Sequence, residues 1–472
     1  MDRQTFGVIV TTRSFFPSHV VATARSQITG LLEELGYGCV MLGEADTEYG
    51  AVVTYQQAKL CADLFRRHAG EISGIICVLP NFGEELGVVE AIQQAGLDVP
   101  VLVQACDDDF DALDMANRRD AFCGKISVCN NLYQRNIPFS TTTRHSCALD
   151  SPEFRADLER FAAVCRVVTG LRGSRIAMLG SRPVAFNTVR FSEKILQNHN
   201  ISVQTVDLSE ILADAAGFDD QNRVQDRMDE ISRYAKVPAD TDIQTMERLA
   251  RLGIALEDKV ETLDCQASTV QCWDSLEINY GCAACLAMSM MGEGGRPSAC
   301  ESDVMGAVSM LAAQLAAQSP PALLDWNNNI RDDRDACINL HCSNFPKGFF
   351  GTGIQLGTLD VLGSVLGQHR TFGACKGQVK SGDMTFVRLT TDDRKGKMKA
   401  YIGEGVFEDE PIPTKGGIAA CRVENLQQLL KYICTNGFEH HVCMVRSHVA
   451  AVLHEAFHTY MGIEVYWHAN NK

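Results

Sequence analysis

The sequence lacks a long hydrophobic run. Nowhere do about eighteen apolar residues follow one another, as a helix that crosses a membrane requires. The first residues, from Met1 to Phe6, show no charged leader followed by an apolar stretch and a cleavage site, so we expect no signal peptide. Repeats of solenoid length and low-complexity tracts are also missing. We therefore expect a globular protein with no membrane partner.

Positive charge is in short supply. The chain has 43 lysines and arginines against 59 aspartates and glutamates, which gives a formal net charge of −16. Because such a surface repels phosphate backbones, the composition argues against a nucleic-acid partner.

Cysteine is plentiful but does not form a disulfide or zinc framework. The 19 cysteines are odd in number and spread along the whole chain, and Cys282–Cys285 is a CxxC without a second CxxC. We expect free thiols and a cytoplasmic location. Gly351-Thr352-Gly353 lacks the third glycine of a dinucleotide fingerprint, so we expect no nicotinamide cofactor.

The chain is too long for one hydrophobic core and suits two or three domains. From 1 to 170, short β-rich runs such as Phe6–Thr12 and Gly74–Leu79 alternate with helical patterns such as Ala22–Leu35. Alternating buried strands and helices predict a parallel sheet covered on both faces, which is a doubly wound α/β domain.

A second α/β domain is predicted over 171–340. It begins with the strand Arg175–Gly180, followed by a helix Val184–Gln197 and a strand Val203–Leu208. A long helix, about Thr241–Leu263, precedes the strand Thr269–Cys272. Two doubly wound domains therefore open the chain.

Glycine becomes frequent after about 340, and the pattern changes to alternating strands. Met384–Leu389 is predicted to pair with Met398–Ile402 across the polar turn Thr391–Gly396. Ser447–Met461 is helical in pattern and precedes a last strand, Glu464–Trp467. We predict a smaller antiparallel, barrel-like β domain over 341–472 with a closing helix.

Four segments gather residue types that bind metal ions. They are LEINYG with Glu277, ACESDVMG with Glu301 and Asp303, NLHCSN with His341, and FEHHV with His440 and His441. Carboxylates combined with imidazoles suit Mn²⁺, Mg²⁺, Co²⁺ or Zn²⁺. By residue type alone the signal is weak, because carboxylates are usually solvated and single histidines are rarely ligands.

Three of these segments carry a family resemblance. ACESDVMGAVSML resembles the metal-binding helix start of L-fucose isomerases, and HHVCMVRSHVAA resembles the segment that supplies their metal histidine. LHCSN resembles the segment with an additional histidine ligand in L-arabinose isomerases. The likeness covers about 171–340 and 430–472 and is weak elsewhere.

The resemblance implies a metal-dependent aldose–ketose isomerase that works through an enediol. By this likeness Glu277 and Asp303 bind the ion and transfer the proton, and His441 is the third ligand. His341 and His440 are further ligands or substrate contacts. The ion expected is Mn²⁺, with Co²⁺ or Mg²⁺ as alternatives. We interpret Glu301 as a carboxylate that stabilises the start of a helix.

The resemblance also implies a sugar substrate and a homo-oligomer, from dimer to hexamer, in which a neighbouring subunit helps to close the active site. Fucose-like or arabinose-like sugars fit, and some relatives act on sulfonated sugars such as sulfoquinovose. An anionic group would need cationic or amide partners. The candidate substrate-binding residues are Arg13, Arg119, Lys125, Arg182 and Asn187.

Two other functions remain open at this point. A sugar-binding protein could keep the same domains without catalysis, although the intact set of Glu277, Asp303 and His441 argues against that. The segment His454–His458 matches the HExxH motif of zinc proteases. Only a short tail follows it, so a third protein ligand is difficult to supply.

Overall fold

The chain folds into two compact units, which we describe from a computed structural model covering residues 3–114 and 116–468. The first unit extends to Thr169 and includes Thr459–Gly462, and the second comprises Gly170–His458 and the residues from Ile463 onward. The residues of the predicted C-terminal domain beyond 468 lie outside the described part.

The first unit contains a five-stranded parallel sheet. Its strands, in chain order, are β1 (Thr5–Val10), β2 (Gly38–Val40), β3 (Ile72–Leu79), β4 (Val101–Ala105) and β5 (Ser140–Thr141). Their order across the sheet is β2-β1-β3-β4-β5, and every neighbouring pair is parallel. Its strands are rich in buried aliphatic residues, as expected when both faces of a sheet are covered.

Helices cover both faces of this sheet. They are α1 (His19–Glu34), α2 (Tyr55–Arg67), α3 (Glu85–Ala95), α4 (Ala121–Gln134) and α5 (Pro152–Leu171). Phe6, Val8 and Val10 pack in one core with α1 and α5. Ile9 points the other way and packs in a second core with α2, α3 and α4. This alternation confirms the predicted doubly wound arrangement.

The second unit begins with a four-stranded parallel sheet. Its strands are β6 (Arg175–Leu179), β7 (Ser202–Val206), β8 (Ala267–Val270) and β9 (Ser298–Cys300), in the order β7-β6-β8-β9. The helices of this part are α6 (Glu193–Asn198), α7 (Leu208–Ala216), α8 (Gln221–Tyr234), α9 (Ile243–Thr262), α10 (Ser275–Asn279), α11 (Cys285–Glu293) and α12 (Val304–Ala317). The prediction of parallel α/β sheets is confirmed here too.

A nine-stranded mixed sheet completes the second unit. Its strands are β10 (Ala322–Ile330), β11 (Asp333–His341), β12 (Gln355–Thr358), β13 (Phe372–Gln378), β14 (Gly382–Asp392), β15 (Lys397–Glu408), β16 (Gly417–Arg422), β17 (His441–Val445) and β18 (Glu464–Trp467). They lie in the order β12-β13-β16-β11-β10-β17-β14-β15-β18, and β15 also pairs with β16. The predicted hairpin is present as β14 and β15, with Met384 opposite Gly405.

Four short helices accompany the mixed sheet: α13 (Lys347–Phe350), α14 (Asp360–Leu366), α15 (Leu426–Thr435) and α16 (Ala450–His454). The predicted helix Ser447–Met461 is present in a shorter form. Its α-helical part is Ala450–His454, and a π-helical turn follows over Glu455–Tyr460. In the described part of the chain, every helix is too short or too polar to span a bilayer.

Helix α12 lies between the two sheets of the second unit. Its residues are almost all apolar and buried, and it packs against β8 and β9 on one side and β14 and β17 on the other. A helix that is hydrophobic all round needs such complete burial. The first turn of α12 therefore lies between the end of the parallel sheet and the start of β17.

The predicted helix Val184–Gln197 is wrong in its first half. A short 3₁₀ turn occupies Asn187–Val189, and the α-helix begins only at Glu193. Asn187 and Thr188 have side chains that compete for backbone hydrogen bonds, which weakens a helix at that point. The resulting loop after β6 is open to solvent at Val184.

Candidate functional site

A carboxylate and two imidazoles meet where the sheets of the second unit approach each other. Glu301 directly follows β9, His341 ends β11, and His441 begins β17. Each offers one ligand atom, and these atoms all lie within 4.8 Å of one another. All three residues are buried. We call Glu301, His341 and His441 the carboxylate–histidine cluster.

One oxygen of Glu301 faces both imidazoles. Its Oε2 atom lies 2.9 Å from Nε2 of His441 and 3.8 Å from Nε2 of His341. The other oxygen, Oε1, accepts a hydrogen bond of 3.0 Å from the indole N–H of Trp273. Trp273 thus fixes the carboxylate so that Oε2 points at the two rings.

The backbone at Glu301 is held in an unusual conformation. Glu301 has a φ of 60° and Ser302 a φ of 56°, both in the left-handed region. Such a conformation costs on the order of 1–3 kcal/mol for a residue other than glycine and is concentrated at functional sites. Here it turns the chain between β9 and α12, so that Glu301 and Asp303 approach His441 from opposite sides.

Asp303 lies on the Nδ1 side of His441, and both of its carboxylate oxygens accept hydrogen bonds. Its Oδ2 accepts a 2.8 Å hydrogen bond from Nδ1 of His441, and the guanidinium of Arg388 donates to both oxygens at 2.6 and 3.0 Å. As the N-cap of α12 it also accepts from the backbone N–H of Gly306 at 2.8 Å. With Nδ1 bound in this way, Nε2 of His441 is directed toward Glu301.

Arg388 links Asp303 to a second buried carboxylate. Its Nε donates to Oε2 of Glu439 at 3.1 Å, and its side chain is 0% exposed. Glu439 also accepts a short hydrogen bond from the hydroxyl of Thr390. This chain of charges, which we call the Arg388 network, fixes the position of His441 from behind.

Glu277 lies in α10, which follows β8, and is completely buried. Neither of its oxygens has a hydrogen-bond partner among the described residues. Burial, together with the nearby Cys342 and Asp274, raises the pKa of Glu277 to about 8. A buried carboxyl without donors is costly to ionise unless a cation approaches it.

The residues of this region fit a divalent cation. Within residues 3–114 and 116–468, the buried atoms without a hydrogen-bond partner include both oxygens of Glu277, Oε2 of Glu301, Oδ1 of Asp325 and Nε2 of His441. Nε2 of His441 and Oε2 of Glu301 are 2.9 Å apart, yet these two atoms are not aligned as donor and acceptor. Oxygen and imidazole donors of this kind are typical ligands of Mn²⁺, Co²⁺ and Zn²⁺.

The close approach of these charged groups shifts their pKa values. Burial alone would raise the pKa of Glu301, but His441 and His341 lower it to about 2. Burial would lower the pKa of His441, but Asp303 and Glu301 raise it to about 9. Arg388 and His441 likewise hold the pKa of Asp303 well below its usual range against the effect of burial. The site therefore stabilises positive charge strongly.

The raised pKa of Glu277 predicts a pH-dependent stability difference in protein treated with a chelator. Between about pH 4.5 and pH 8 the folded protein keeps the Glu277 proton, whereas the unfolded chain loses it. The Glu277 contribution to the unfolding free energy therefore falls as the pH rises across this interval. The unfolding free energy of Glu277→Gln, relative to that of the natural protein, should therefore rise progressively between about pH 5 and about pH 8. Urea unfolding at several pH values measures this difference.

Glu261→Gln is the matched control, because Glu261 is exposed and lies outside the site. Because solvent screens an exposed carboxylate, this substitution should change the unfolding free energy by less than about 1 kcal/mol at each pH. A Glu277→Gln difference that is flat with pH would contradict the raised pKa.

His440 lies at the edge of the cluster. Its Nε2 atom is 3.7 Å from Oδ1 of Asp325, which is also 3.6 Å from Nε2 of His441. Its side chain is 43% exposed, so it can meet solvent or a ligand. The ring of Phe186 packs edge-on against His440 and Trp273. The loop after β6 therefore borders the site.

Arg182 lies in the same loop. The hydroxyl of Ser302 donates to the backbone carbonyl of Ser181 at 3.1 Å, which ties the loop to the residue next to Glu301. Arg182 donates to the carbonyl of Pro183 at 3.0 Å, and no carboxylate of the described residues lies within ion-pair distance of it. Among the described residues, no carboxylate neutralises its charge.

Asn187 is placed at a different opening. It lines a polar cleft of about 810 Å³ together with Arg190, Lys399 and Glu439. Glu439 connects this cleft to the Arg388 network, whereas the members of the carboxylate–histidine cluster do not line it. Asn187 thus faces the cleft that Glu439 lines, while the ring of the preceding Phe186 lies 5.9 Å from that of His441.

The other predicted substrate residues belong to the first unit. Arg13 pairs with Glu84 and Glu85 at 3.1 and 3.4 Å. Arg119 lines a cavity of about 360 Å³ at the carboxyl end of β4. Lys125 is buried, donates to the hydroxyl of Thr142 at 2.6 Å and has no carboxylate of the described residues within ion-pair distance. Within the described ranges, Arg13 is thus the one member of the three that is paired with carboxylates.

The HExxH segment contributes to none of the potential metal-ligand groups found among the described residues. His454 ends α16 and His458 lies in the following π-helical turn, with the two rings stacked at 5.2 Å. In the part of the chain that the structure describes, neither belongs to a group of three potential ligands. The geometry therefore gives the protease reading no support.

The sequence motifs favour Asp303 over Glu301 as the ligand, and Asp325, Arg388 and Glu439 belong to none of those motifs. A carboxylate directly after a parallel strand is a stronger signal than one at a helix start, because ligands bind at the carboxyl ends of strands. That rule favours Glu301 over Asp303. Arg388 and Glu439 have no local motif and are recognised only through the fold.

Two family models match the chain. The model described as "Fucose/sulfoquinovose isomerase, N-terminal domain" matches residues 7–172, and the model "L-fucose isomerase, C-terminal domain" matches residues 339–468. The second match includes His341, Arg388 and His441. The weak resemblance in the first 170 residues is therefore a real relationship.

Curated relatives give the same result. A protein named sulfoquinovose isomerase from Alkalicoccus urumqiensis is 24% identical over 324 residues, which cover 67% of this chain and 70% of that protein. One of the same name from Priestia aryabhattai is 22% identical over 345 residues, or 72% of this chain and 74% of its own. With both family domains present in order in one chain, the protein belongs to the fucose/sulfoquinovose isomerase family.

Proposed function

We propose that this protein is a metal-dependent aldose–ketose isomerase that acts on a sulfonated sugar such as sulfoquinovose. The observation that carries the proposal is the carboxylate–histidine cluster with its unpartnered donor atoms. Membership of the isomerase family and relatives named sulfoquinovose isomerase support the reaction and the substrate class. The free thiols support a cytoplasmic location.

Four residues would hold the metal ion: Glu277, Glu301, His341 and His441. Mn²⁺ suits two carboxylates and two imidazoles, as Co²⁺ does, whereas Mg²⁺ prefers oxygen ligands alone. A bound ion would supply Lewis-acid stabilisation of the negative charge that develops on the sugar oxygens. Asp303 then has a supporting role, because its oxygens already bind Arg388 and His441.

Glu277 is the residue best suited to move the proton. Isomerisation through an enediol removes a proton from C2 of the aldose and returns one to C1. A general base works best with a pKa near the working pH, and the pKa of Glu277 is raised to about 8 by burial. A nearby cation would lower this value and favour the carboxylate that accepts the proton.

His441 must keep one orientation through this cycle. Asp303 accepts the Nδ1–H of His441, so that Nε2 carries the lone pair that faces Glu301. Carboxylate–histidine pairs of this type fix the tautomer of a metal-binding ring. The Arg388 network in turn fixes Asp303, which connects the buried charges to the reacting site.

A sulfonate needs a cation at the mouth of the site, and we assign this role to Arg182. The guanidinium forms paired hydrogen bonds with oxyanions. Arg182→Gln should raise the KM for sulfoquinovose about 10- to 100-fold and change the KM for an uncharged aldose little. Steady-state rates with both sugars measure the difference.

Arg190→Gln is the control for that experiment, since Arg190 is an exposed arginine of the same segment that already donates to the carbonyl of Asn187. It should leave both KM values close to those of the natural enzyme. An equal rise in KM for the charged and the uncharged sugar in Arg182→Gln would refute a sulfonate contact.

We extend the proposal to a homo-oligomer. Helix α4 of the first unit exposes Phe122, Ile126 and Tyr133, which are spaced to lie on one face. An exposed apolar face of this kind marks an interaction surface. Sedimentation should show an assembly larger than a monomer that Ile126→Asp shifts toward the monomer. An unchanged distribution would remove this face from the interface.

The proposed reaction is tested by NMR in D₂O. Protein stripped with a chelator is incubated with sulfoquinovose, fucose or arabinose, with and without Mn²⁺. We expect ketose with deuterium at C1, and deuterium at C2 of the aldose re-formed by the reverse reaction, only with Mn²⁺ and fastest with sulfoquinovose. Glu277→Gln should stop both signals, whereas Glu261→Gln should not.

The outcomes separate the possible functions. Turnover of fucose or arabinose without sulfoquinovose turnover would keep the reaction and change the substrate. Metal binding without exchange into any sugar would contradict the isomerase and favour a sugar-binding protein.

A further inference from the structure

Three thiols lie directly behind the carboxylate–histidine cluster. Cys272 follows β8, Cys300 ends β9 and Cys342 follows β11, so three neighbouring chain segments contribute one each. Cys300 is paired with Val270 in the parallel sheet, two residues before Cys272, and its sulfur lies within 4.8 Å of the sulfur of Cys342. We call Cys272, Cys300 and Cys342 the thiol cluster.

His341 joins the thiol cluster to the carboxylate–histidine cluster. Its Nδ1 atom lies 3.4 Å from the sulfur of Cys342, while its Nε2 atom faces Glu301. One ring therefore presents a nitrogen to each group. The sulfurs of Cys300 and Cys342 and a ring nitrogen of His341 all lie within 4.8 Å of one another.

We propose that Cys300, Cys342 and Nδ1 of His341 form a second metal site, specific for a thiophilic ion such as Zn²⁺ or Cd²⁺. Two sulfurs that bind one zinc ion at about 2.3 Å are less than about 4.6 Å apart. The observed spacing thus needs only small side-chain rotations to close around an ion. Cys272 follows Val270, the sheet partner of Cys300, by two residues and would be the fourth donor.

The two sites differ in the ions that they prefer. Thiolates favour soft or borderline ions, whereas the carboxylates of Glu277 and Glu301 favour Mn²⁺. When Zn²⁺ binds, each thiol gives up its proton to solvent and the sulfur forms a bond to the ion. The step is a proton exchange for a metal ion and needs no oxidant or reductant.

Zinc at the thiol site should act on the isomerase through His341, a consequence that rests on the proposed function. When Nδ1 binds the ion, it gives up its proton, and the single N–H of the neutral ring is then on Nε2. His341 then presents an N–H toward Glu301 in place of a lone pair and no longer serves as a ligand there. We therefore expect Zn²⁺ to inhibit the enzyme loaded with Mn²⁺.

X-ray absorption of the natural protein tests the site directly. The full chain, reduced and stripped of metal, is first saturated with Mn²⁺ and then given one equivalent of Zn²⁺. We expect a shell of about two or three sulfurs at about 2.3 Å from the zinc. A zinc environment of oxygen and nitrogen alone would overturn the proposal.

A spectroscopic test uses variants. Co²⁺ added to the reduced protein should give the near-ultraviolet absorption of thiolate-to-cobalt charge transfer. Cys300→Ser combined with Cys342→Ser should lose this band, and Cys265→Ser, a buried thiol at the opposite end of β8, should keep it. A band that persists in the double variant would contradict the assignment of these two ligands. X-ray absorption of the natural protein decides the question if the double variant does not fold.

Activity measurements keep the two proposals distinguishable. The ratio of turnover with Zn²⁺ to turnover without it should fall at least about tenfold in the natural enzyme and stay near one in the double variant. Sulfur ligation without isomerase activity on any sugar would keep the thiol site and reject the proposed function. Isomerase activity with no sulfur around zinc would do the reverse.

Discussion

Glu301→Gln is expected to lower kcat by about a thousandfold or more and to remove most of the bound Mn²⁺. The amide keeps the size and the hydrogen bond to Trp273 but loses the charge of Oε2, which faces both imidazoles. Without that charge the two histidines have one anionic neighbour fewer, and the ion has lost a ligand. Metal analysis after dialysis and turnover by NMR measure the two effects.

Asp303→Asn distinguishes the role of Asp303 from that of Glu301. In our proposal Asp303 orients His441 and does not bind the ion, and removing such a supporting contact costs about 10- to 100-fold in affinity or activity. The Asp303 variant should therefore keep more metal and more activity than the Glu301 variant. The opposite order would restore Asp303 as the ligand and assign Glu301 to the helix start. Glu261→Gln provides the reference for an exposed carboxylate.

The fold was largely predictable because its periodic patterns reflect local physics. Buried strands such as β1 and β3 are continuous apolar runs, and α1 and α9 show helical spacing with clear ends. The break at Asn187–Val189 was missed because a loop that is held by distant partners has no periodic signal. Phe186 packs on Trp273 and His440, which no local pattern reveals.

The site was predictable in part for a similar reason. His341 and His441 were recognised from short motifs, and the structure brings them within ligand distance of Glu301. The choice between Glu301 and Asp303 depends on two left-handed residues and on Arg388, which lies 85 positions along the chain from Asp303. Neither backbone conformation nor such a distant partner can be inferred from one sequence.

Arg388→Met is expected to cost the second unit about 3–5 kcal/mol of unfolding free energy. Arg388 is fully buried between Asp303 and Glu439, so its removal leaves two buried carboxylates without their shared cation. The methionine fills similar space but donates no hydrogen bond. Trp273, Trp326 and Trp467 are the three tryptophans of the chain and all lie in the second unit, so their fluorescence follows its urea unfolding.

Arg422→Met is a matched control. Arg422 also bridges two carboxylates, Asp333 and Glu408, at 2.8 and 2.6 Å, but its side chain is 42% exposed. Solvent screens such a pair, and its loss should cost less than about 1 kcal/mol. Equal losses in the two variants would mean that burial does not govern the Arg388 network.

The pH dependence of the Arg388 variant gives an independent check. Because Arg388 helps to hold the pKa of Asp303 below its usual range, the pairing contributes stability above the unfolded pKa of about 4 and loses it as the pH falls. The deficit of Arg388→Met should therefore be largest near neutral pH and shrink below about pH 4. His441 depends on Asp303 for its orientation, so the same variant should also lose metal affinity at neutral pH. A stability loss without a loss of metal would show that the buried charges hold the fold but do not orient His441.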